Sequence, residues 1–223
     1  MGEEGGEVIH RDDRQRSRDL RYRVVRHRAG VQAAQTKTRI SPMPRIAPID
    51  TAHAAAEVQA TLSAVKAKIG MVPNLFTTFA QSPAVLKGYL GFSDALAHGA
   101  LTGKQREIIS LAVAQANGCH YCLSAHTLMG KGAGLSPEGI AAARRGNAQD
   151  PRDNAVATFA RRVVETKGQV TDADVASARS AGLDDARLIE VIANVALNVL
   201  TNFTNNVAHT DIDFPKVDVA LSA

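Results

Sequence analysis

The chain has 223 residues, 45% of them hydrophobic and 4% aromatic, with two cysteines, no tryptophan and a formal charge of +4. That length permits one large domain or two small ones. Residues 1–42 hold ten Lys/Arg and six Asp/Glu, so the body from Met43 onward is charge-neutral and a nucleic-acid partner is not indicated.

Residues 1–42 are predicted to be a disordered extension or non-native upstream sequence, with translation starting normally at Met43. Their arginines, from Arg11 to Arg28, alternate with Asp12, Asp13 and Asp19, and apolar residues show no period. Pro42, Pro44 and Pro48 mark an extended lead-in to the body, 43–223. Asp50 is expected to cap a helix running to about Ile69, with Gly70 as its stop. Asn74 opens a short helix over Leu75 to Phe79. Ser82-Pro83 starts another that carries Leu86, Tyr89 and Leu96.

Thr102 and Gln105 have capping-box spacing, and the helix they open holds Glu107, Ile108 and Leu111 and ends at Asn117-Gly118. A further helix is expected to carry Cys119, Cys122 and His126. Ser136-Pro137, Asp150-Pro151 and Thr171 with Asp174 mark three more helix starts. The last helix, about 186–208, has Leu188, Ile192, Val195, Val199 and Phe203 at helical spacing. Eight to nine helices and no convincing strand predict an all-α fold. No apolar run approaches the roughly 18–20 residues of a membrane helix. The polar, acidic Met1-Gly2-Glu3-Glu4 start lacks a secretory pattern, so a cytoplasmic location is expected.

The two cysteines stand three residues apart, too close for a bridge that restricts much of the unfolded chain. They read as chemistry first. At helical i, i+3 spacing they share a face and can close to a disulfide. His126 follows Cys122 by one turn and is a candidate base or cationic partner for its thiolate. Cys119 lies in the first helical turn, where free N–H groups favour an anion. Glu107 can orient His126 if the two helices fold back on one another. Zinc fits the ligand types, but CxxCxxxH on one helix surrounds a tetrahedral ion poorly. Haem attachment requires His after the second Cys, and Leu123 stands there. The group Asn198, Asn202, Asn205, Asn206 and His209 is expected to form a polar seam between helices or subunits.

Glu107, eleven residues, Cys119-His120-Tyr121-Cys122, three residues and His126 resemble the alkylhydroperoxidase D and carboxymuconolactone decarboxylase superfamily. "RIAPID", "MVPNLFTTFAQSP" and the segment from Leu188 extend the resemblance over about residues 43–215. It implies an all-α, AhpD-like bundle, homo-oligomers (trimers or hexamers), and neither metal nor organic cofactor. It implies reduction of hydroperoxides, with Cys122 attacking, Cys119 resolving, and Glu107 with His126 relaying protons. An external dithiol would then reopen the disulfide. The family's founding peroxidase has His directly before its second Cys. Here Tyr121 takes that place and the His is at 120, so His120 and Tyr121 are candidates for substrate binding or gating. Decarboxylase members lack the CxxC pair. Another chemistry on the same scaffold, or a non-enzymatic redox-sensing assembly, are the rival readings.

Overall fold

A computed structural model describes residues 43–221. The expectation for residues 1–42 lies outside the described residues.

The caps of the sequence decide most helix starts. Thr102 opens α4 (Gly103–Ala116) with a full capping box to Gln105, and Thr171 opens α8 (Asp172–Ser180) with one to Asp174. Ser136 caps α6 (Pro137–Arg144) and Asp150 caps α7 (Pro151–Glu165), each followed by proline at the first helical position. Asp184 caps α9 (Asp185–Ala208) through the Arg187 N–H. The remaining helices are α1 (Ala56–Ile69), α2 (Asn74–Phe79), α3 (Pro83–Ala97) and α5 (His120–Gly132). Among the described residues there are nine helices and no strand, as the sequence patterning predicts.

Asp50 does not cap α1. Its carboxylate accepts the Ala52 N–H at 2.9 Å and pairs with the His53 ring at 2.7 Å, closing a local turn. That turn occupies the cap before a helix can use it, and α1 starts at Ala56 instead.

Helix α4 is the axis of the body and packs against α5, α6, α7 and α9. One of its faces, with Ile108, Leu111 and Ala114, joins Leu86, Leu123 and Ile140 in one core cluster. The other, with Ile109 and Val113, joins Val156, Phe159, Leu183 and Val191 in a second. Apolar residues all round the helix make it a core element rather than a surface one.

Helix α9 has 24 residues and mean hydropathy 1.2, enough by length and composition to cross a membrane. This differs from the expectation that no segment approaches that size. Its inward face carries Asn194, Asn198, Asn202 and Asn205 packed in the protein interior, which suits a core helix. Its outward face carries Ile189, Ile192, Leu200, Phe203 and Val207, all substantially exposed. The helix ends at His209, whose backbone is left-handed at φ 52°. From there an extended strap, residues 210–221, returns across α5.

Candidate active site

Gly118, at φ +61°, turns the chain out of α4 in a conformation that glycine adopts without penalty. The Cys119 N–H then returns to the Ala114 carbonyl at 2.9 Å, closing the end of α4. Cys119 is therefore the residue that caps α5, not a residue of its first turn. Its sulfur accepts the Cys122 N–H at 3.2 Å, so it takes one of the free donors of the helix start. The two cysteines, with Cα atoms 5.3 Å apart, are joined as a disulfide. Both are buried.

Glu107 on α4 and His126 on α5 meet: Nδ1 of the ring lies 2.9 Å from Oε2 of the carboxylate. Their side chains are only 12% and 18% exposed, which shields the pair from bulk solvent. Tyr89 on α3 packs against Phe76 and Phe79 and stands near Glu107. Burial first, and then the Glu107 charge, push its phenol up to about 12, offset in part by a hydrogen bond with Ser93. Glu107, Cys119, Cys122 and His126 thus come from one helix pair, the arrangement that the spacing predicts.

His120 is exposed, whereas Tyr121 is buried. The Tyr121 hydroxyl accepts the Leu75 N–H at 3.2 Å, and its ring meets Phe214 edge-on at 5.6 Å between centroids. Asp213, on the strap, accepts the Asn74 N–H at 2.7 Å. So the first two N–H groups of α2 are satisfied by a tyrosine of α5 and a carboxylate of the strap, in place of a local cap. Burial, chiefly, and the nearby Asp213 charge raise the Tyr121 pKa. The strap is held further by the Val217 N–H donating to Ser124 Oγ at 3.0 Å, and by Arg144 and Gln115 donating to the Val219 carbonyl.

The asparagine group on α9 forms a seam within the chain. Asn117 Nδ2 donates to Asn202 Oδ1 at 3.0 Å, and Asn206 Nδ2 to the Asn117 carbonyl at 2.9 Å, tying α9 to the turn before Cys119. Asn205 Nδ2 donates to Cys122 Sγ at 3.3 Å. Motif spacing did not single out this contact, because Asn205 stands 83 positions beyond Cys122. A cavity of about 590 Å³ opens beside it, lined in part by His120, Tyr121, Asn205, His209 and Lys216.

Residues 83–166 match the carboxymuconolactone decarboxylase family. The family segment runs from the start of α3 to the end of α7 and includes the Glu107–CxxC–His126 constellation. The resemblance read from that spacing therefore holds. A structure described as an alkylhydroperoxidase AhpD core, an uncharacterized peroxidase-related protein from Ralstonia eutropha JMP134, is 28% identical. The match has a TM-score of 0.70 and covers 77% of this chain and 93% of that one. An uncharacterized peroxidase-related protein from Silicibacter sp. TM1040 is 22% identical, with a TM-score of 0.67 over 77% and 94% of the two chains. The debrominase Bmp8, solved with 2,3,4-tribromopyrrole, is 16% identical, with a TM-score of 0.66 over 78% and 94%. The last two likenesses concern the fold alone. No curated protein matches the chain by sequence. The all-α, AhpD-like fold expected from the sequence is the fold of the AhpD-core structure that the chain matches.

Proposed function

We propose that this chain is a thiol-dependent peroxidase or disulfide reductase that turns over through the Cys119–Cys122 pair. The observation that carries the reading is a disulfide at the start of α5 beside a shielded Glu107–His126 pair. A sulfur at a helix start is favoured as an anion, and a carboxylate-oriented imidazole beside it can take and return its proton. The 28% identical structure described as an alkylhydroperoxidase AhpD core, a peroxidase-related protein, supports the same chemistry. A hydroperoxide is the substrate, and an external dithiol is the reductant. No metal or organic cofactor takes part, and neither nucleic acid nor membrane is a partner. The reducing supply that such a cycle needs suits the cytoplasm.

The working form is a homo-oligomer, a trimer or hexamer. Ile189, Ile192, Leu200, Phe203 and Val207 form one exposed apolar stripe along α9, of the kind that a second copy covers.

The test is thiol titration of the reduced protein before and after one equivalent of hydroperoxide, followed by steady-state peroxide consumption with a dithiol. Loss of two thiols in wild type, abolished in both single Cys→Ser variants, is expected. An unchanged thiol count would overturn the reading. The fold shared with a debrominase favours one rival, a different reaction on the same scaffold. Activity on another substrate that survives the Cys119→Ala, Cys122→Ala double change would establish that rival.

A further inference from the structure

Helix α9 turns four buried amides inward: Asn194, Asn198, Asn202 and Asn205. The first three find partners in the protein. Asn194 donates to the Glu190 carbonyl at 2.8 Å, Asn198 to the Asn194 carbonyl at 2.9 Å, and Asn202 accepts from Asn117 at 3.0 Å. Asn205 differs. Its Nδ2 donates to Cys122 Sγ at 3.3 Å, and its Oδ1, in a residue only 4% exposed, has no partner among the described residues. A buried acceptor without a donor has lost its water and gained nothing in exchange. Asn205 also lines the cavity of about 590 Å³, a size that admits a small organic molecule. One planar amide of a cavity-lining residue therefore touches a redox sulfur with its donor and keeps a buried acceptor vacant.

We infer that Asn205 is a catalytic amide of the thiol centre, holding the Cys122 thiolate with Nδ2 and taking the O–H of the incoming hydroperoxide on Oδ1. The inference rests on the peroxidase reading for its substrate, but not for its effect on the sulfur. An N–H aimed at sulfur is a stronger bond when the sulfur is anionic, so it favours thiolate over thiol. The acceptor half suits a hydroperoxide, whose terminal oxygen carries the hydrogen. Binding that hydrogen to Oδ1 sets the terminal oxygen beside Sγ.

The proton of the Cys122 thiol passes to His126. The thiolate electron pair then forms a bond to the terminal peroxide oxygen, and the O–O bond breaks. The alkoxide leaves, takes the proton from His126 and departs as the alcohol, leaving Cys122 as a sulfenic acid. Cys119 then gives up its own proton, and its thiolate attacks Cys122 Sγ. The S–O bond breaks, and hydroxide takes that proton to become water as the disulfide closes. The dithiol loses two electrons and the peroxide gains them. Asn205 also orders the two cysteines. Among the described residues Cys119 Sγ receives only the Cys122 backbone N–H, whereas Cys122 Sγ receives a donor from a residue of the cavity wall.

The test measures iodoacetamide alkylation against pH in the reduced full chain carrying Cys119→Ser, with Asn205 intact, changed to Ala, or changed to Asp. Asn205→Ala is expected to raise the Cys122 alkylation midpoint by about one pH unit, and Asn205→Asp by more, because the carboxylate repels the thiolate. The same changes in a Cys122→Ser chain should leave the Cys119 midpoint in place. Unmoved Cys122 midpoints, or equal movement at both cysteines, would overturn the inference, the second because it signals general loosening. In the two-cysteine protein, Asn205→Ala should slow disulfide formation by tert-butyl hydroperoxide at least about tenfold at neutral pH. Alkylation uses no peroxide. A wild type that consumes none would sink the peroxidase reading, while the midpoints still decide the role of Asn205.

Discussion

Nδ1 of His126 is bound to Oε2 of Glu107 at 2.9 Å, which fixes the ring by one edge and leaves Nε2 as the nitrogen available for proton transfer. The carboxylate favours the tautomer with its proton on Nδ1. Glu107→Gln keeps the shape of the side chain and removes the charge. It should slow peroxide-driven disulfide formation by about 10²-fold, the lower range for a positioned acid–base pair, and His126→Gln should slow it as much or more. Stopped-flow measurement of disulfide formation checks both. Wild-type rates in either variant would remove the pair from the mechanism.

Tyr121→Phe deletes the oxygen that receives the Leu75 N–H and leaves that donor buried. A loss of about 1–3 kcal/mol in urea unfolding is expected, with disulfide formation retained. Retained stability together with lost peroxide turnover would instead make Tyr121 a gate.

The Asp174 carboxyl is held below its ordinary value of 3.8 by the Thr171 N–H, the Thr171 hydroxyl and Arg162. A lowered folded-state pKa contributes stability above the ordinary value and loses it as pH falls through the folded-state one. Asp174→Asn should therefore lower the urea midpoint at pH 6 and flatten the drop between pH 6 and pH 3. Parallel pH curves for the two proteins would contradict this.

Phe203, half exposed in the apolar stripe of α9, is the residue to charge. Phe203→Glu should convert the assembly to monomers in sedimentation, with the helical signal kept. A monomeric wild type would exclude the oligomer.

Legibility in the sequence follows from the range of each interaction. Thr102, Ser136, Asp150 and Thr171 announce helices because each cap acts on an N–H two or three residues away. Asp50 misleads for the same reason, since a nearer N–H takes its carboxylate. Glu107 and His126 are legible because their two helices are consecutive and fold back across a short turn at Gly118. Asn205 is legible as part of the asparagine seam but not as a partner of Cys122, and Asp213 is not legible at all. Asparagine on a helix and aspartate in an irregular strap have no spacing that signals a partner. Their contacts to Cys122 and Asn74 depend on the closed fold.

The strap that anchors at Ser124 and brings Asp213 and Phe214 to Tyr121 lies well beyond α5 in the chain. Synthesis runs from the N-terminal side, so α5 leaves the ribosome about 80 residues before Asp213, and the cysteines must wait for their cover. During that interval the thiols are open to adventitious oxidants and to one another. Emergence of the strap is then also the moment at which the redox pair gains its finished surroundings, and a chain stalled before Asp213 would carry the same cysteines without that protection.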